Sequence, residues 1–147
     1  MIEPLRLSFE VACSAAHAFD TWTQRTSMWW PPAHTATHDP GARIVFEPRT
    51  GGRIFERTSA GQDVDWGWIT VWEPPHRLVY QWHIATDIAS ATEVEIDFVD
   101  LGEGTRVEIE HRGWQRLGER GQEWRDANRT GWDGVLPAYK TACERGG

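Results

Sequence analysis

Leu5, Leu7, Phe9 and Val11 alternate with Arg6, Ser8 and Glu10. A period of two predicts a strand with one buried face. Ser14 then stands at an N-cap position, and Ala15, Phe19 and Trp22 follow at helical spacing, which predicts a short helix. Met28-Trp29-Trp30 runs into Pro31-Pro32, which cannot continue a helix. Loop formers dominate from Pro31 to Gly41. Ile44 with Phe46, and Ile54 with Phe55, mark two short strands around a turn from Pro48 to Gly52. Asp65 to Trp72 reads as another strand, broken by Pro74 and Pro75. Trp66, Trp68 and Trp72 share one parity there, and Ile69 and Val71 the other. Both faces are apolar, so the pattern leaves the inward face open.

The next runs are clearer. Leu78, Tyr80 and Trp82 alternate with Val79, Gln81 and His83. Val94, Ile96 and Phe98 alternate with Glu93, Glu95 and Asp97. After a turn at Gly102 to Gly104, Val107, Ile109 and His111 alternate with charged residues. These last two runs predict a hairpin with one apolar and one charged face. From about Glu123 to Glu144, Trp124, Asn128, Gly131, Trp132, Val135, Tyr139 and Ala142 form one helical stripe. Pro137 predicts a kink within it. One-faced strands and a one-faced helix bury each other when the sheet curves around the helix, an α+β solution that leaves room between them.

Composition narrows the picture. A chain of 147 residues suits one domain spanning 1–147. The formal net charge of −7 argues against nucleic acid, which needs clustered Lys and Arg. No apolar run has the length of a membrane span, and the N-terminus shows no secretory pattern. Two cysteines give no disulfide framework, so a reducing, cytoplasmic location is expected. The ten tryptophans are the anomaly. They predict either an aromatic core or a cavity lined with rings for an apolar ligand.

Trp29-Trp30-Pro31, the Gly51-Gly52-Arg53 turn, Val71-Trp72-Glu73-Pro74-Pro75 followed by Leu78 and Trp82, Thr92-Glu93-Val94, Thr105-Arg106-Val107, His111-Arg112-Gly113-Trp114 and Gly131-Trp132 occur in this order. Taken together they resemble the SRPBCC (START-like, Bet v 1-like) superfamily. The branch they are most similar to is related to the C-terminal domain of the activator of Hsp90 ATPase. The resemblance covers nearly the whole chain. It implies a helix-grip fold: a curved antiparallel sheet around a long C-terminal helix, short helices after the first strand, and a deep cavity between sheet and helix. It does not imply one activity, since the superfamily includes ligand carriers, cyclases, self-protection proteins and a co-chaperone domain. That co-chaperone carries a further domain ahead of this one, for which 147 residues leave no room.

His111 is in phase with Val107 and Ile109 and is expected to point inward. It reads either as a core histidine bonded to a neighbour or as a polar anchor or acid/base in an apolar pocket. Tyr80 and Asn128 share its phase. The expected ligand-binding set is Trp82, Tyr80, Phe98, Ile96, His111, Asn128, Trp132, Trp30 and Phe55. His34 and His38 have an i, i+4 spacing that on a helix would suit zinc, but the segment reads as a polar loop near the cavity mouth, so no metal is expected. Cys13 and Cys143 lack a partnering motif and read as inert. No cofactor fingerprint appears. The expected function is a binding protein for a hydrophobic or aromatic small molecule. The alternatives are a cyclase- or hydrolase-type enzyme using His111 as acid/base, and a co-chaperone-like interaction module. A homodimer and a chaperone partner stay open.

Overall fold

The computed structural model describes residues 2–84 and 88–146. Seven strands form one antiparallel sheet: β1 (Leu5–Val11), β2 (Arg43–Phe46), β3 (Arg53–Arg57), β4 (Asp63–Glu73), β5 (Arg77–Trp82), β6 (Thr92–Asp100) and β7 (Thr105–Arg112). Their spatial order is β1-β7-β6-β5-β4-β3-β2. Two short helices, α1 (Ala15–Thr23) and α2 (Thr26–Trp29), follow β1. The helix α3 (Gly121–Gly146) closes the chain and stays helical through Pro137. This is the helix-grip α+β architecture. Among the described residues, no helix is long and apolar enough to cross a membrane.

Local chemistry explains the elements. The Ser14 hydroxyl accepts from the His17 amide at 3.1 Å and caps α1. Strict alternation in β6 and β7 buries Val94, Ile96, Phe98, Val107, Ile109 and His111 on one face. The opposite face carries Arg112, which ion-pairs with Glu93, Glu95 and Glu110 at 2.7–2.9 Å. The Tyr139 hydroxyl donates to the Ala18 carbonyl at 2.8 Å, pinning α3 to α1.

Strand β4 departs from simple parity. Its pairing shifts register against β3 beyond Ile54 and against β5 beyond Ile69. Each bulge adds a residue and flips the faces that follow. Trp66 and Ile69 are therefore both fully buried, and Trp72 packs on Phe19 with ring centroids 5.0 Å apart. Trp68 turns outward beside His83 instead. Gly67 sits at the bulge because a Cβ there would lie 1.8 Å from the Gln81 carbonyl oxygen.

Indoles fill most of the space between sheet and helix. Trp22 lies against Trp29, Trp132 and Tyr139, with centroids 4.8–6.0 Å apart. Trp30 continues the stack to Trp66 and Trp82 at 5.3 and 5.9 Å. The deep hollow implied by the family resemblance is thus largely plugged by side chains. What stays open is a cleft at one end of the sheet–helix contact.

Candidate functional site

That cleft has a volume of about 80 Å³. Trp30 and His34 reach it from the segment after α2, and Trp82 and Ile84 from the end of β5. Asn128, Gly131, Trp132 and Val135 face it from α3. The i, i+3, i+4 and i+7 spacing of those four residues puts them on one side of the helix. A second space of about 170 Å³ adjoins, sharing Trp82, Ile84, Asn128 and Gly131. An apolar cavity of roughly 150 Å³ takes one benzene. The first space alone is short of a ring; the two together suit one or two fused rings.

Two α3 glycines shape the cleft. A Cβ on Gly131 would meet nothing within 4 Å, so this position opens the wall. A Cβ on Gly134 would come within 2.6 Å of His34 Nε2, so this position seats the imidazole. Each glycine inside a helix costs about 1 kcal/mol relative to alanine. A larger groove of about 580 Å³ lies away from the cleft, beside Arg25, Met28, Trp29 and the last turns of α3. It presents one aromatic ring, and Arg25 is already paired with Asp20 at 2.9 Å. In the smaller cleft three indoles, Trp30, Trp82 and Trp132, converge with two polar side chains, His34 and Asn128.

A buried carboxylate holds the mouth in place. Glu56 on β3 is fully buried and accepts from the Ala36 amide at 2.8 Å, the Thr37 amide at 3.3 Å, the Thr37 hydroxyl and the Trp66 indole N–H at 3.1 Å. These four donors satisfy its oxygens, as a buried polar group requires. The Trp30 indole donates to the His34 carbonyl at 3.1 Å, tying the cleft wall to the same segment.

Of the residues expected to bind a ligand, Trp30, Trp82, Asn128 and Trp132 line the cleft. His111 lies behind Trp132 and is fully buried. The Trp132 indole N–H donates to His111 Nδ1 at 3.1 Å. An indole nitrogen only donates, so Nδ1 carries no proton and Nε2 does. Nε2 then donates to Thr92 Oγ1 at 2.7 Å, and that hydroxyl reaches the Trp82 carbonyl at 3.4 Å. The Trp114 ring covers the imidazole at 4.2 Å between centroids. Burial pushes the His111 pKa down to about 3. The imidazole is neutral and fully bonded, a joint between β7, β6 and α3. It is the core histidine of the two readings, and it has no free nitrogen for acid–base work on a ligand.

The remaining candidates lie elsewhere. Tyr80, Ile96 and Phe98 are sealed in the core, Tyr80 between Phe46 and Trp82 and Phe98 against Phe19. Burial raises the Tyr80 pKa, and neither its hydroxyl nor the Trp22 indole N–H has a hydrogen-bond partner among the described residues. Phe55 is on the other face of the sheet. The guanidinium groups of Arg53 and Arg57 sit 4.5 and 5.2 Å from its ring centroid, so it is corrected from cavity residue to outer-face residue. The inward residues of β3 are its neighbours Ile54 and Glu56, and the apolar pair Ile54-Phe55 hid that parity. His34 ends a short 3-10 turn (Pro32–His34) and Thr35 is extended, so no helix brings His34 and His38 together. Cys13 and Cys143 are buried thiols whose pKa burial raises, to about 12 for Cys143.

A curved sheet gripping a C-terminal helix, with an indole-walled cleft at one end of the grip, defines a helix-grip protein. The chain belongs to the family described as activator of Hsp90 ATPase homolog 1-like protein, whose model matches residues 12–141. It is similar to the anthrahydroquino-gamma-pyrone synthase Txn09, with 39% identity, 83% of this chain and 84% of that chain covered, and a TM-score of 0.61. It is also similar to the self-sacrificing resistance protein CalC from Micromonospora echinospora, with 27% identity, 99% and 96% covered, and a TM-score of 0.75. Protein NE0264 from Nitrosomonas europaea shares the fold at 12% identity, with 99% and 96% covered and a TM-score of 0.70. A comparison with curated proteins returns no match.

Proposed function

We propose that this protein holds an aromatic or hydrophobic small molecule in the cleft between Trp82 and α3. The observation that carries the reading is the gap at Gly131. A helix that faces its sheet with tryptophan at 132 and valine at 135 leaves one position bare, opposite indoles that offer flat apolar walls. The likeness to Txn09, described as an anthrahydroquino-gamma-pyrone synthase, supports a small aromatic molecule as the occupant. Fluorescence titration with 2-naphthol, followed by thermal unfolding, tests it. Saturable quenching is expected, with stabilisation of about 2.7 kcal/mol at a hundredfold excess over Kd. Gly131→Leu should fill the gap and weaken binding at least tenfold. It should not lower Tm, because leucine is the better helix former by about 0.8 kcal/mol. Equal binding by both proteins, or none by the wild type, overturns the reading.

A second reading has one observation in its favour, the 39% identity to a synthase. Under it the cleft orients an aromatic intermediate for reaction, and the imidazole that meets the substrate is His34, since both nitrogens of His111 are committed. Mass spectrometry of a bound aromatic polyketide before and after incubation separates the two: an unchanged compound supports binding alone.

A further inference from the structure

The two edges of the sheet are finished differently. At β2 the Ser27 hydroxyl accepts from the Ile44 amide at 2.8 Å and donates to the Ile44 carbonyl at 3.2 Å. The Gln24 amide donates to the Phe46 carbonyl at 3.4 Å, so side chains occupy this margin. The other edge is β1. It pairs with β7, and among the described residues no other hydrogen bond engages the backbone of Leu5–Val11. Such an edge offers a row of amides and carbonyls to a further strand. The order of residue types in β1 is symmetric about Ser8: Arg6 mirrors Glu10, Leu7 mirrors Phe9 and Leu5 mirrors Val11. Arg6, Ser8 and Glu10 are exposed on the outer face, and Leu7 and Phe9 are half-buried on the inner one.

We propose that β1 is a dimerisation edge, where a second copy of this chain adds its own β1 antiparallel about Ser8. The two sheets then run on as one, with seven strands from each copy. Each Arg6 faces Glu10 of the second copy, and each Leu7 faces its Phe9, as a two-fold axis through Ser8 requires. Within one chain Glu10 lies opposite Arg106, and Arg6 opposite Glu110. Joining the copies makes the row Arg106, Glu10, Arg6, Glu110, which alternates in sign across the seam and occurs twice. Arg106 is turned to Glu108 at 2.9 Å, and among the described residues no hydrogen bond or ion pair engages the Glu10 carboxylate, which leaves it for the second copy's guanidinium. Arg6 holds Glu110 through Nε at 3.1 Å and keeps its other N–H donors. Competing registers are worse. Centring on Arg6 or on Glu10 sets like charges face to face, and centring on Leu7 or Phe9 sets Ser8 against a charge. A shift of one residue puts apolar side chains opposite polar ones, on the wrong face. Seven residues a side make a small seam, so this dimer dissociates on dilution.

Sedimentation velocity of the full chain at low salt, from about 1 μM to 1 mM, tests this. The wild type should pass from monomer to dimer within that range, and added salt should move the transition to higher concentration. Arg6→Glu and Glu10→Arg, each with circular dichroism like the wild type, should weaken self-association at least about tenfold, because each sets like charges opposite at both ends of the seam. An equimolar mixture of the two variants should recover the dimer, since the acidic copy then faces the basic one at both ends. Ser8→Cys leaves the charges alone, and the native cysteines are buried. A short bismaleimide should therefore link two copies of that variant through position 8. A wild type that stays monomeric to about 1 mM overturns the proposal. A dimer that both charge variants keep also overturns it, because the contact then lies on another face. A mixture that stays monomeric, or a dimer that does not link through position 8, overturns the register about Ser8 and the proposal with it.

Discussion

His111 and His34 both pack against α3, one at Trp132 and the other at Gly134, yet their surroundings could hardly differ more. Around His111 every donor and acceptor is matched: Trp132 gives a proton to Nδ1, Thr92 takes one from Nε2, and Trp114 closes the face. Around His34 the contacts are shape alone, a ring laid on a helix where a glycine makes space. The first arrangement fixes the distance between sheet and helix. The second leaves an imidazole facing a cleft. Burial and bonding decide what an imidazole can do, whatever face of an element it occupies.

The largest expected contrast between the two is in acid. The pKa of His111 is about 3 in the folded protein and near 6.5 when unfolded. Below pH 6.5 the unfolded chain therefore binds a proton that the folded chain refuses, and stability falls as the pH falls toward 3. By linkage the loss is roughly 3 kcal/mol at pH 4, and nothing above pH 7. Urea unfolding at pH 7, 5 and 4, wild type against His111→Gln, should show the variant losing less stability on acidification. Parallel curves would mean that His111 is not sealed. Next in size, His111→Ala at pH 7 should cost about 2–3 kcal/mol, because it orphans the Trp132 N–H and the Thr92 hydroxyl and leaves a void. His34→Ala should cost less than about 1 kcal/mol, since it removes packing at the edge of a cleft and breaks no hydrogen bond. A His34 variant as damaging as the His111 variant would erase the distinction between the two imidazoles.

Much of the fold was legible because strands facing one way announce themselves. Period two in β1, β5, β6 and β7 placed Leu5, Trp82, Val94 and His111 inward, and the helical stripe placed Asn128 and Trp132 toward the sheet. Strand β4 was legible as a strand but its inward face was not, because two bulges reset its parity and no residue pattern marks them except Gly67. The tryptophan count signalled aromatic packing but could not say whether rings line a hollow or fill it; the answer lies in how Trp22, Trp29, Trp30 and Trp66 nest. Glu56 went unread because a carboxylate in a strand is expected to face water, and only the fold reveals four donors around it. Gly131 lay on the apolar stripe without distinction, since an empty position is visible only once its neighbours are in place. His34 was read as mouth-of-cavity loop, and its contact with Gly134 depends on tertiary packing.

Glu56 has a further consequence. It belongs to β3, beside the outermost strand of the sheet, yet its carboxylate grips Ala36 and Thr37, just past His34. Fraying of the β2–β3 hairpin would unlatch the segment that frames the cleft entrance. The two amides held by Glu56 should then exchange with deuterium in step with those of the hairpin, so that the entrance opens by the loosening of a margin and not by movement of the buried centre.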